Sequence, residues 1–123
     1  MPGFWKKESA RDKLARSFKE SEYTYQQYHD ADYEGAKKAI LNHLESLDKL
    51  SAESVKPDRN PYVSDAMIWY VRLAHLEETN NNLAAKTEYL SEALSRCKRI
   101  GRWDCSEESL LRDAERIDPL SAR

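Results

Sequence analysis

An acidic stretch beginning at Asp30, DADYEG, contains residue types that bind calcium in proteins. Oxygen-bearing side chains at alternate positions followed by a glycine form the front half of an EF-hand loop. Such a loop also needs a carboxylate at its twelfth position, which here is Leu41, and two lysines fall inside the loop where they would oppose a cation. We therefore interpret the stretch as a turn followed by a helix, and expect no metal site. The oxygen ligands in question are Asp30, Asp32 and Glu34.

Three histidines are the candidates for acid–base or metal-binding chemistry. His75, with Glu77 and Glu78 after it, comes closest to a known arrangement, but none of the three forms a recognisable catalytic or metal-binding motif. A histidine on a packed helix is more often a hydrogen-bonded structural residue. The chain also lacks a glycine-rich phosphate loop, a nucleophile elbow and an HExxH sequence. We therefore predict that the protein is not an enzyme and has no catalytic residues and no cofactor. The other two histidines are His29 and His43.

Cys97 and Cys105 are the only cysteines. Two cysteines are too few for a disulfide framework, and their surroundings match no zinc-ligand spacing. Cys97 lies on an apolar helical stripe, which is typical of a small buried hydrophobe, and Cys105 lies in the turn that follows. Two alternatives stay open, a disulfide between them or two thiols, and the pattern favours the thiols.

Composition indicates one helical domain. The chain has 123 residues, of which 40% are hydrophobic and 34% charged, with only 3 Gly and 4 Pro to form turns. The net charge of -2 provides no field that would attract nucleic acid, and no apolar run is long enough to cross a membrane. We expect a cytoplasmic protein that binds neither nucleic acid nor membrane. The alternative is an exported protein whose leader was removed ahead of Pro2.

Hydrophobic spacing and capping residues predict about five helices. An Asp before the second helix, Asn60 with Pro61 before the third, and Gly101 after the fourth are typical helix boundaries. The third helix is apolar over most of its circumference and should be the central one. We predict a single domain over residues 6–118 between tails 1–5 and 119–123. The helices are expected near residues 6–29, 33–50, 62–79, 83–100 and 107–117.

Two segments of the chain have similar sequences. DYEGAKKAILNHL and NLAAKTEYLSEAL align without a gap when Tyr33 is set on Leu83. ETNNNLAAKTEYLSEAL resembles the turn and second helix of a tetratricopeptide repeat (TPR), and Tyr70, Leu73 and Ala74 fall on packing positions of that repeat's first helix. SEESLLRDAERID resembles a capping helix. The resemblance implies an all-α, right-handed stack of antiparallel helical hairpins with a C-terminal capping helix.

The match to the repeat is loose at identifiable positions. Lys86 stands where the family has a small alanine, and Glu77 stands where it has an aromatic residue. The two units also begin 50 residues apart, from Tyr33 to Leu83, against roughly 34 in the family. The segment between the two matching helices must therefore be longer than in the family.

The resemblance also implies a function in protein–protein contact. In such stacks the first helices of successive hairpins line a concave surface that binds an extended peptide or a partner helix. In this chain the positions that match that surface are Tyr25, Tyr28, Val71, His75 and Glu78. Alternatively, Tyr25 and Tyr28 only pack the first helix against its neighbours.

The N-terminal aromatic residues Phe4 and Trp5 leave three alternatives: docking on their own domain, joining a homodimer interface, or belonging to a disordered tail. Our first hypothesis is a non-enzymatic interaction module for an unidentified protein or peptide, with a homodimer as one form. Our second is a small-molecule- or metal-binding helical protein that uses a groove near His75.

Overall fold

The computed structural model describes residues 9–27, 32–56, 60–102 and 104–117. These residues form five α-helices and contain no strand, so the predicted all-α class is confirmed. The observed boundaries lie close to the predicted ones, and residues 6–8, 28 and 29 of the predicted first helix lie outside the described residues. The helices are α1 (Ala10–Gln27), α2 (Tyr33–Ala52), α3 (Pro61–Thr79), α4 (Leu83–Arg99) and α5 (Glu107–Ile117). None of them is long and apolar enough to cross a membrane.

Side-chain caps fix the starts of the three central helices. Asp32 caps α2 by accepting a hydrogen bond of 3.0 Å from the backbone N–H of Gly35. A Cβ at position 35 would collide with that capping carboxylate, which explains the glycine. Asn60 and Asn82 cap α3 and α4 in the same way. The stretch that resembled a calcium loop therefore contains a helix cap, which satisfies a backbone donor at the helix start.

The helices pack in chain order. α1 contacts α2, α2 contacts α3, α3 contacts α4, and α5 lies against both α3 and α4. As predicted, α3 is the central helix, because it buries side chains on most of its circumference. Two apolar clusters result, one joining α1, α2 and α3 around Ile40 and Leu73, the other joining α3, α4 and α5 around Val71 and Leu110.

The two cysteines pair as a disulfide, so the favoured alternative of two thiols is wrong. Cys97 is fully buried on α4, as the apolar stripe predicted. The turn after α4 reverses at Gly101, whose φ of 81° is a left-handed conformation that suits glycine. This reversal brings Cys105 back to α4, with the two Cα atoms 5.9 Å apart.

Candidate functional site

Two arginines connect helices that are not consecutive in the chain. Arg72 on α3 donates a hydrogen bond of 2.6 Å to Glu22 on α1. Its guanidinium lies 4.4 Å from the ring centroid of Trp69 and 5.1 Å from that of Tyr25. The charge of Arg72 is therefore compensated by a carboxylate and by two aromatic faces within the interface between α1 and α3.

Arg96 on α4 makes the equivalent connection to α2. One of its nitrogens donates to Glu92 at 2.8 Å, and the other lies 3.2 Å and 3.3 Å from the two carboxylate oxygens of Asp48. Its guanidinium stacks 4.4 Å from the ring centroid of Tyr70. Burial opposes the charge of Arg96, but the two carboxylates outweigh burial and raise its pKa. Arg96 therefore stays charged and holds α2 and α4 at a fixed separation.

An open groove lies between α2 and α4, with α3 below it; we call it the α2/α4 groove. Its volume is about 750 Å³, and Tyr70 of α3 forms its floor. Tyr89 lies beside Tyr70 at 6.2 Å between ring centroids, and Leu41 on the opposite wall is 40% exposed. Among the described residues, the lining consists of Leu41, Asp48, Tyr70, Thr87, Glu88, Tyr89, Ser91, Glu92 and Arg96.

The lining of the α2/α4 groove is acidic. Three carboxylates, those of Asp48, Glu88 and Glu92, face one cation, and all three acidic residues are exposed while Arg96 is buried. Because Arg96 is already bonded to two of these carboxylates, Glu88 adds a further negative charge on the α4 wall. The groove therefore combines aromatic surface with negative charge.

A polar cluster lies next to this groove, where α2 begins and α3 ends. The Tyr33 hydroxyl donates a hydrogen bond to Oε1 of Glu77, and Nζ of Lys37 lies 3.4 Å from the same oxygen. Glu77 is completely buried, and its second oxygen, Oε2, has no hydrogen-bond partner. Burial and the bond to Glu77 raise the pKa of Tyr33. Lys37 lies 6.0 Å from the Tyr89 ring centroid, which connects the cluster to the groove.

A second depression lies between α1 and α3 on the opposite face, and we call it the α1/α3 groove. It has a volume of about 350 Å³, and His43 and Leu47 of α2 form its floor. His43 is buried, with Nδ1 2.7 Å from the Ser17 hydroxyl and with its ring edge-on to Phe18 and Trp69. Burial lowers the pKa of His43 to about 4, so the ring is neutral at pH 7.

The predicted binding residues do not lie together on an exposed surface. Tyr25 and Val71 are 2% and 3% exposed, so their predicted exposure to a groove is wrong. Tyr25 packs in the α1–α2–α3 cluster, which is the alternative expected for it, and Val71 packs against α4 and α5. His75 is half-buried on α3, and Glu78 is exposed and paired with Lys86. Tyr28, Phe4 and Trp5 lie outside the described residues.

Sequence reasoning missed the two arginine bridges and the acidic groove. Arg96 and its basic neighbours complement the helix dipole at the end of α4, and this local role gives no reason to expect a distant partner. The sequence did contain one indication of the bridges. Their partners are 50 and 48 residues apart, close to the 50-residue offset between the two similar segments. Pairing charges at an offset of 50 residues would have indicated the bridge from Arg72 to Glu22, but not the bridge from Arg96, because that offset pairs Arg96 with Ser46.

Comparisons with protein-family models, with curated proteins and with solved structures gave no match for this chain. Within the part of the chain that the structure describes, no three His, Cys, Asp or Glu side chains are placed to hold a metal ion. Any function assigned to the chain must therefore be argued from its own surfaces.

Proposed function

We propose that this protein is a non-enzymatic, TPR-like interaction module that binds a segment of a partner protein in the α2/α4 groove, between the second helices of its two hairpins and not on the surface of the first helices that the resemblance implied. The observation that carries the proposal is the groove itself, with its floor of Tyr70 and its neighbouring Tyr89. Tyrosine provides a large contact area with little conformational entropy to lose, and it is enriched where proteins bind one another.

The walls of the groove are fixed before any ligand binds. Arg96 bonds to Asp48 on the opposite helix while stacking on the floor tyrosine, so α2, α3 and α4 meet at one side chain. A preformed groove avoids the entropy of ordering its walls during association, which favours affinity. Its volume of about 750 Å³ suits a few side chains of a peptide or one turn of a helix.

Charge defines the chemistry of the expected partner. A segment carrying lysine or arginine complements the carboxylates of Asp48, Glu88 and Glu92, and an aromatic or aliphatic side chain complements the tyrosines and Leu41. Acidic segments should be excluded by repulsion. The ligand class is therefore a basic peptide segment with one or two bulky apolar side chains.

A peptide-display screen tests the proposal. We expect enrichment of basic peptides containing aromatic residues, with binding that weakens as the salt concentration rises. Leu41→Arg, which places a cation in the groove, should weaken the enriched peptides about 10-fold or more. Leu83→Arg is the matched control, because Leu83 is 62% exposed on α4 and does not line the groove. Equal binding by both variants, with unchanged helicity, would contradict the proposal.

A further inference from the structure

The N-terminal segment carries aromatic and basic residues, which are the residue types that the α2/α4 groove is suited to bind. Residues 2–8, which we call the N-terminal arm, read PGFWKKE and place two aromatic residues directly before two lysines. The groove offers aromatic and aliphatic surface beside three carboxylates. The arm and the groove are therefore complementary in both polarity and charge.

We propose that the N-terminal arm of one copy of this chain binds the α2/α4 groove of a second copy. The inference rests on the proposed function of that groove and names its occupant. Phe4 or Trp5 stacks on Tyr70 and Tyr89, where aromatic pairs gain energy beyond the area they bury. The lysines face Glu88 and the other exposed carboxylates, contributing orientation and association rate more than affinity.

Charge argues against the nearer α1/α3 groove as the site for the arm. That groove begins beside the first turn of α1, and its lining includes Arg11 and Lys19, with Asp65 as the only carboxylate that the described part of the chain contributes. Lys6 and Lys7 of the arm would meet like charge there. The α2/α4 groove has the opposite charge balance and is the better match.

Geometry favours a second copy over the chain's own groove. At 100° per residue, Leu41 and Asp48 lie on the face of α2 opposite to His43 and Leu47, which face the α1/α3 groove. An arm leaving α1 would have to pass around α2. Half the circumference of a helix about 10 Å wide is roughly 16 Å, and seven extended residues reach about 24 Å, so less than half of the arm would remain for binding.

Exchange of arms between two copies gives a closed assembly. Each copy supplies one arm and one groove, so a two-fold dimer satisfies both contacts and leaves neither groove open. Because two equivalent arm–groove contacts form at once, each contact raises the effective concentration of the other. The expected product is a dimer that dissociates when either the arm or the groove is altered.

Light scattering on the full chain and on full-length variants tests this arrangement. The arm variant carries Phe4→Ala and Trp5→Ala, the groove variant carries Leu41→Arg, and the control carries Leu83→Arg. We expect the wild type and the control to be dimers, and the arm and groove variants to be folded monomers with dissociation constants raised about 100-fold or more. A monomeric wild type, or a dimer that survives either variant, overturns the proposal.

Mixing the two monomeric variants separates arm exchange from other dimers. The arm variant retains an intact groove and the groove variant retains an intact arm, so the mixture should form a one-to-one heterodimer through a single contact. A symmetric interface that uses the same residues from both copies would give no such heterodimer. Failure of the mixture to associate would therefore overturn the proposed exchange.

A peptide titration makes failure of this inference distinguishable from failure of the proposed function. The probe is a synthetic peptide of residues 1–8, MPGFWKKE, added to the arm variant. Binding that Leu41→Arg abolishes supports the exchange. If this peptide does not bind while the display screen on the same variant enriches other basic peptides, the groove function stands and the arm is not its ligand.

Discussion

Arg72 on α3 donates a 2.6 Å hydrogen bond to Glu22 on α1, 50 residues earlier in the chain. Arg96 on α4 repeats this relationship with Asp48 on α2, 48 residues earlier. Each arginine also stacks on an aromatic ring of α3. The first bridge therefore joins α1 to α3 and the second joins α2 to α4. These are the same helix pairs that form the walls of the α1/α3 groove and the α2/α4 groove.

Loss of Arg72 should destabilise the fold. Arg72→Met leaves Glu22, which is 26% exposed, without its bridging cation and removes the stacking on Trp69, so we expect a loss of about 2 kcal/mol in the free energy of unfolding. Arg72→Lys keeps the charge but loses the planar guanidinium that stacks on Trp69, so we expect about half of that decrease in the free energy of unfolding. Urea unfolding measures both, with the exposed Lys98→Met as the control. A loss below about 0.5 kcal/mol for Arg72→Met would contradict a structural role for the bridge.

Loss of Arg96 should lower the stability of the fold less than loss of Arg72 does, and should weaken peptide binding in the α2/α4 groove. Asp48 and Glu92 are 48% and 53% exposed, so water solvates them when Arg96 is removed, and Arg96→Leu should lower the unfolding free energy by only about 1 kcal/mol. The same change frees the two walls of the α2/α4 groove. Although the freed carboxylates attract a basic peptide more strongly, we expect the cost of ordering the walls to dominate, so that peptide affinity falls by about 10-fold while helicity stays constant. Calorimetric titration of an enriched peptide measures this, and unchanged affinity would show that the bridge does not shape the groove.

Protonation of His43 should make the protein acid-sensitive. The pKa of His43 is lowered from 6.5 to about 4 in the folded protein because the ring is buried. Below pH 6.5 the unfolded chain binds a proton at His43 that the folded protein does not. The contribution of His43 to the free energy of unfolding is therefore complete above pH 6.5 and is lost as the pH falls towards 4. The total loss should reach about 3 kcal/mol. The measurement is the unfolding free energy at several pH values.

A His43→Asn variant isolates this histidine from the carboxylates that titrate over the same range. Asparagine retains a polar group for the Ser17 hydroxyl but does not titrate. Its stability should be lower at pH 7 but should vary less between pH 6.5 and 4 than that of the wild type. Parallel pH profiles for the two proteins would show that His43 is not the source of the acid sensitivity.

The sequence determined the elements better than the site. Helix starts were predictable because Asn60 and Pro61 act within one turn of chain, and α3 was predictable as central because its apolar residues surround it. The exposure of Tyr25 was predicted wrongly, since the repeat pattern does not show that Arg72 and the α1–α2–α3 cluster cover this ring. The groove depends on pairings such as Arg96 with Asp48, which periodicity along one helix cannot reveal.

Glu77, the residue that stands in place of an aromatic one in the resembled repeat, should depend on Tyr33. Its carboxylate is buried, and Oε1 accepts the Tyr33 hydroxyl while Oε2 has no hydrogen-bond partner. Tyr33→Phe should therefore lower the unfolding free energy by about 2 kcal/mol, because the buried Glu77 side chain loses a hydrogen-bond donor. Adding Glu77→Leu should restore most of this loss, since both members of the pair are then apolar and water can solvate Lys37, whose side chain is 25% exposed. Additive losses in the double variant, measured by urea unfolding, would contradict this coupling.

Reduction of the disulfide should destabilise the contact between α4 and α5. The bridge from Cys97 to Cys105 closes a loop of eight residue steps, which by loop-closure entropy stabilises the fold by about 2 to 3 kcal/mol. A reductant should lower the thermal midpoint of the oxidised wild type. It should not change that of Cys105→Ala, which lacks the bridge but keeps the buried Cys97. Because α5 packs on α3 and α4 and does not line the α2/α4 groove, peptide binding should persist after reduction. Loss of binding on reduction would show that α5 supports the groove through the buried cluster around Val71 and Leu110.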